Sequence, residues 1–84
     1  MDFNYSFQQR NFNSSFTCRE NNDLKIYSVR LKEDGHRELL GEKLIVTYSK
    51  VNNGYEPPHF PEEKARELAG FIAVAIEQLE KNKG

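Results

Sequence analysis

Residues 69–79 read AGFIAVAIEQL, a helix-forming stretch in which Phe71 through Ile76 are apolar without a break. A helix on the surface of a small soluble domain should be apolar on one side only. On a wheel of ~100° per residue, Ala65, Leu68, Ala69, Ile72, Ile76 and Leu79 form one stripe with Ala75 beside it, and that stripe must pack on something. Phe71 lies on the flank of the stripe and Val74 nearly opposite. The core-facing stripe therefore cannot account for both. Two coverings are open: the segment 57–60 folds over Phe71 and leaves Val74 exposed, or a second chain touches both, with Gly70 allowing close approach. Phe71, Val74 and Gly70 are accordingly the candidate protein interface.

The length sharpens the question. At 84 residues the chain is one domain (1–84) whose own core is thin, and association is a common way for such a chain to bury more apolar area. The composition is polar, 37% hydrophobic and 30% charged, but its ten Phe and Tyr residues place it among folded chains. The net charge is -1, and both signs are spread along the chain, so no block of charge demands a nucleic acid or a membrane surface.

Upstream of the helix the pattern is that of strands. Phe3, Tyr5 and Phe7 alternate, as do Phe12, Phe16 and Cys18, but with opposite parity. Since a one-residue slip turns every side chain over, residues 1–20 form either a hairpin closing near 8–11 or a loose arm. Leu24–Lys32 reads as a strand, and KLIVTYSKV (43–51) as the strongest one, apolar on both faces and therefore central. Between them, Asp34-Gly35 is a hairpin signal, giving a central hairpin over 24–51 with Gly41 at a bend. After the prolines at 57 and 58, Pro61-Glu62-Glu63 opens the C-terminal helix at 61–81. The fold class is α+β: a three- to four-stranded antiparallel meander with one C-terminal helix on one face. Strands followed by a helix are similar in order to the single-stranded-DNA-binding fold of the transcriptional coactivator called positive cofactor four. No motif in this chain carries that resemblance.

Motifs for chemistry are weak. Asp34, His36 and Glu38 surround the expected turn, and His59 precedes Glu62 and Glu63, yet neither set has metal-site or acid–base context. Phosphate-loop and nucleophile-elbow patterns are missing, so the expectation is no enzyme, no cofactor, no metal and no small-molecule substrate. Cys18, the only cysteine, is expected as a buried thiol. Without a leader-like N-terminus or a long apolar run, the cytoplasm is the default and a membrane is not expected. The leading function is a non-enzymatic interaction module, a homodimer or a regulator or inhibitor docked on a larger protein, of the sort found among phage and mobile-element accessory proteins. The alternative is a single-stranded nucleic-acid binder, with Lys25, Arg30, Lys32, Lys43 and Lys50 on phosphates and Tyr27 and Tyr48 stacking bases.

Overall fold

The computed structural model describes residues 1–83. Strands β1 (Asp2–Phe7), β2 (Arg10–Glu20) and β3 (Leu24–Leu31) precede a short helix α1 (Asp34–Leu40). Strands β4 (Lys43–Ser49) and β5 (Gly54–Glu56) and a long helix α2 (Glu63–Lys83) follow. The strands form one antiparallel sheet in chain order. The α+β meander with a C-terminal helix is thus as expected. The count is five strands, since residues 2–20 contribute two and the short β5 adds a fifth beyond β4.

The parity flip in the first twenty residues has a simple cause. Gln8 and Gln9 both take positive φ, 53° and 64°, the conformation of a two-residue hairpin turn whose twist suits the flanking strands. Phe7 then pairs with Arg10 and Tyr5 with Phe12, so the odd residues of β1 and the even residues of β2 share one face. The β2–β3 turn is held by Asn21, whose Oδ1 accepts the backbone N–H groups of Asp23 (2.9 Å) and Leu24 (2.8 Å).

The Asp-Gly hairpin turn is not formed. Asp34 and Gly35 are the first residues of α1, which ends at Gly41 with φ 89°. Register explains the difference. A two-residue turn at 34–35 would set Tyr27 opposite Glu42 and Lys25 opposite Leu44. The observed pairing sets Tyr27 opposite Val46 and Val29 opposite Leu44, apolar on apolar. The extra residues are wound into α1, whose His36 and Leu40 are buried. Nor is β4 the central strand: β3 is. The outer face of β4 is uncovered, and its Ile45 is exposed.

One face of the sheet carries Phe3, Tyr5, Phe7, Phe16, Tyr27, Val29, Leu31, Leu44 and Val46, all buried. Against it lies the α2 stripe of Ala65, Leu68, Ala69, Ile72, Ala73 and Ile76. Leu79 and Ala75 are half-buried beside it, so the expected stripe holds, with Ala73 added. The helix begins at Glu63, two residues later than the sequence reading placed it, and Arg66 donates to the carbonyls of Phe60 (3.0 Å) and Pro61 (2.7 Å) ahead of it. The sheet curls, so that α2 meets both edge strands, β1 and β5. Cys18 corrects its expectation: it is exposed, although it lies on the inward face of β2 opposite the buried Tyr27.

His36 is 6% exposed and sits among the rings of Tyr5, Phe7 and Phe12, with the Phe12 centroid 4.5 Å away. Its Nδ1 shares a 2.6 Å hydrogen bond with the Tyr5 hydroxyl. Burial holds its pKa below the ordinary value. Glu33 opposes that shift, while Lys64 and Arg10 add to it. The unfolded chain therefore takes up this proton at a higher pH than the folded one. The contribution of neutral His36 is full above the unfolded pKa of 6.5 and is lost as the pH falls toward the folded value. The urea midpoint of the protein should drop between about pH 7.5 and pH 5.5, and His36→Gln should flatten that drop; equal slopes in the two proteins would show that His36 is not the group. Separately, Gln9→Gly should raise stability by roughly 1 kcal/mol, the penalty for a side chain at positive φ, as read from the denaturation midpoint.

Candidate functional site

Among the described residues, the outer surface of α2 is where two large apolar side chains stand exposed close together. Phe71 is 49% and Val74 52% exposed, while Ile72, Ala73 and Ile76 around them are buried. The cause is the unbroken apolar run: at helical spacing, six consecutive apolar positions cannot all point inward. Phe71 is steadied on one edge by the buried Phe7 ring, 5.9 Å between centroids in a T-shaped contact. Its ring contact is thus with β1.

Two grooves flank Val74. One, of about 270 Å³, runs between α2 and β1 and is lined by Asn4, Tyr5, Ser6, Phe71 and Val74 among others. The second, of about 250 Å³, lies between α2 and β5 and is lined by Tyr55, Pro57, Gly70, Ala73, Val74 and Glu77. Gly70 opens onto the second. A β-carbon built on it would meet nothing within 4 Å, so no contact within the chain demands glycine there. The three interface candidates, Gly70, Phe71 and Val74, therefore form one continuous strip: a ridge with a depression on each side.

The nucleic-acid candidates are not brought together. Lys25, Tyr27 and Tyr48 are on the helix-covered face; Arg30 and Lys43 are on the opposite one. Tyr27 is 0% exposed and cannot stack on a base, which removes it from that set. Tyr48 is half-buried, packs on Tyr55 at 4.6 Å and donates to Asn53 Oδ1 at 2.8 Å. Lys25 lies 5.9 Å over the Tyr48 ring and 3.9 Å from Glu80. Lys50 pairs with Glu20 and donates to the Asn21 carbonyl. Lys32 pairs with Asp2 at 3.5 Å and donates to Asn13 Oδ1 at 2.8 Å. Only Arg30 and Lys43 of this set have no carboxylate within 4 Å among the described residues.

Sequence reasoning missed a cavity of about 460 Å³ between β4–β5 and the last turns of α2. Lys25, Tyr48, Tyr55, Glu77, Glu80 and Lys81 line it, and no signal short of the fold places Tyr55 beside Glu77. Behind it lies Tyr27, whose hydroxyl makes no well-aligned hydrogen bond among the described residues. Burial, then the nearby Tyr55 and Glu80, push the Tyr27 phenol far above its ordinary value, and burial raises Tyr55 as well. Both stay protonated at physiological pH. The remaining candidates for chemistry are dispersed: Asp34 pairs with Arg37, whereas His36, two residues on, points into the core.

Comparison with known proteins gives no match to a protein-family model, to a curated sequence or to a solved structure. No described helix is long and apolar enough to cross a membrane.

Since the Tyr27 hydroxyl is buried with no aligned partner, its loss removes little. Tyr27→Phe should leave stability unchanged or raise it by up to ~1 kcal/mol, measured by urea denaturation. A loss of ~2 kcal/mol or more would mean the hydroxyl is bonded in the folded protein.

Proposed function

We propose that this chain is a non-enzymatic interaction module that pairs with a second copy of itself through the outer face of α2. The observation that carries the reading is the half-exposed Phe71 and Val74 on a helix whose other apolar side chains are buried or half-buried against the sheet. Apolar side chains clustered this way mark contact surfaces more often than scattered single ones do. The second copy is favoured over a larger partner by shape. A ridge flanked by depressions suits a two-fold helix pair, in which the Val74 ridge of one copy enters the Gly70 depression of the other. A domain of this size also gains proportionately from burying more surface. Docking on a larger protein as a regulator or inhibitor would use the same strip, and the reading carries no catalytic residue and no cofactor. It places the protein in the cytoplasm, where a lone exposed thiol stays reduced.

The nucleic-acid reading is the weaker one. It needs aromatic faces beside phosphate-binding cations, but Tyr27 is buried and the cations are divided between two faces.

Phe71→Glu with Val74→Lys places opposed charges at solvent-exposed positions, so the fold should survive. Sedimentation should give a dimer mass for the natural chain and a monomer mass for the double variant, with the same circular dichroism. A variant that keeps the wild-type mass would remove this surface from the interface. A natural chain that is monomeric at every concentration would leave only docking on a different protein.

A further inference from the structure

The face of the sheet opposite α2 carries a second, chemically different feature. Ser15, Arg30 and Lys43 lie in one row across β2, β3 and β4, with Ser15 paired to Arg30 and Arg30 to Lys43. Thr17 and Ser28 pair in the neighbouring row of the same face. These five residues, with Met1 and Phe16, border a shallow concavity of about 300 Å³; the Phe16 ring itself is buried in the core on the other face of the sheet.

Two like charges directly opposite on adjacent strands repel one another and destabilise the pair. Proteins usually relieve such a pair with a carboxylate, and none lies within 4 Å of Arg30 or Lys43 among the described residues. The nearest acids are otherwise placed. Asp2, at the end of the same row, is held by Lys32. Glu42 shares the adjoining depression with Arg30, Arg37 and Lys43 without pairing with any of them. The hydroxyls of Ser15, Thr17 and Ser28 make no hydrogen bond to the protein among the described residues, so all three are free to donate.

We infer that this concavity is a binding site for a compact oxyanion, a phosphate group held between Arg30 and Lys43. A guanidinium gives a planar fork of donors, an ammonium a point charge, and hydroxyls complete a shell of donors around phosphate oxygens. Directly opposite positions on antiparallel strands have Cβ atoms about 4.5–5.5 Å apart, a span that one tetrahedral anion bridges. No aromatic ring shares this face among the described residues, so a nucleobase has nothing to stack on. The ligand class is therefore inorganic phosphate or a phosphate monoester rather than a nucleic-acid strand. The site is on the other side of the sheet from Phe71 and Val74 and is independent of the pairing proposed above.

The test follows backbone amide shifts during titration with inorganic phosphate, with chloride holding the ionic strength constant. A parallel titration uses a short oligothymidylate. Saturable shifts clustered at 15, 17, 28, 30 and 43 are expected, with roughly tenfold weaker binding in Arg30→Gln and again in Lys43→Gln. Both variants replace exposed side chains, and in chloride alone Lys43→Gln should melt no lower than the natural chain because it relieves the repulsion. Shifts that never saturate, or that follow every lysine and arginine alike, would overturn the site. So would variants that bind as tightly as the natural chain. Oligothymidylate binding centred on the same amides and much tighter per phosphate would overturn the compact-ligand assignment in favour of strand binding.

Discussion

Everything else in this fold depends on one face of α2 being buried against a curled sheet. Leu68, Ile72 and Ile76 are fully buried, each contributing about 1.5–3 kcal/mol relative to exposure. Ala65, Ala69 and Ala73 keep the same stripe thin enough for the helix to lie close to β1. Because the sheet curls, one helix covers its inner face and also meets both edge strands. A five-stranded sheet of this size has few other means of shielding its aromatic interior. The same geometry turns Phe71 and Val74 outward. The exposed apolar strip is a direct consequence of making an uninterrupted apolar helix serve as the cover.

The interior is aromatic rather than aliphatic on the β1–β2 side, and that choice brings polar atoms inside. Tyr5 and His36 satisfy one another, and Ser14, also fully buried, accepts the Lys32 backbone N–H at 3.4 Å. Tyr27 has no such arrangement. Its ring fills the middle of the sheet between Phe16 and Tyr55, 5.4 and 6.1 Å away, while its hydroxyl is left poorly paired. One buried phenol thus links the core to Tyr55 in the wall of the cavity between β4–β5 and α2. The opposite face shows the reverse: open and, among the described residues, without rings, it keeps two cations side by side.

Much of the fold was legible in local pattern. The α2 stripe, the alternation in β1 and β2 and the order of strands before helix all follow from periods of 3.6 and 2. The exposed strip of Phe71 and Val74 was legible for the same reason, since a helix wheel shows which residues cannot face one core. Asp34-Gly35 misled because turn preference is a local effect. The register of β3 on β4 is decided by Tyr27 meeting Val46 and Val29 meeting Leu44, contacts between residues far apart in the chain. Cys18 was misjudged because inward parity on a strand does not by itself bury a side chain: it is exposed while its row neighbour Tyr27 is buried.

The sequence by itself determined which residues are apolar and at what spacing. From that follow the element types, the helix stripe and the surplus apolar side on α2. The tertiary structure alone decided how the cations are shared out. Lys25 went to the helix side, Lys32 and Lys50 to carboxylates, and Arg30 and Lys43 to one another across the open face. The reason is physical: alternation along a strand says which residues share a side, but strand register and the position of the covering helix say which side it is and what stands opposite.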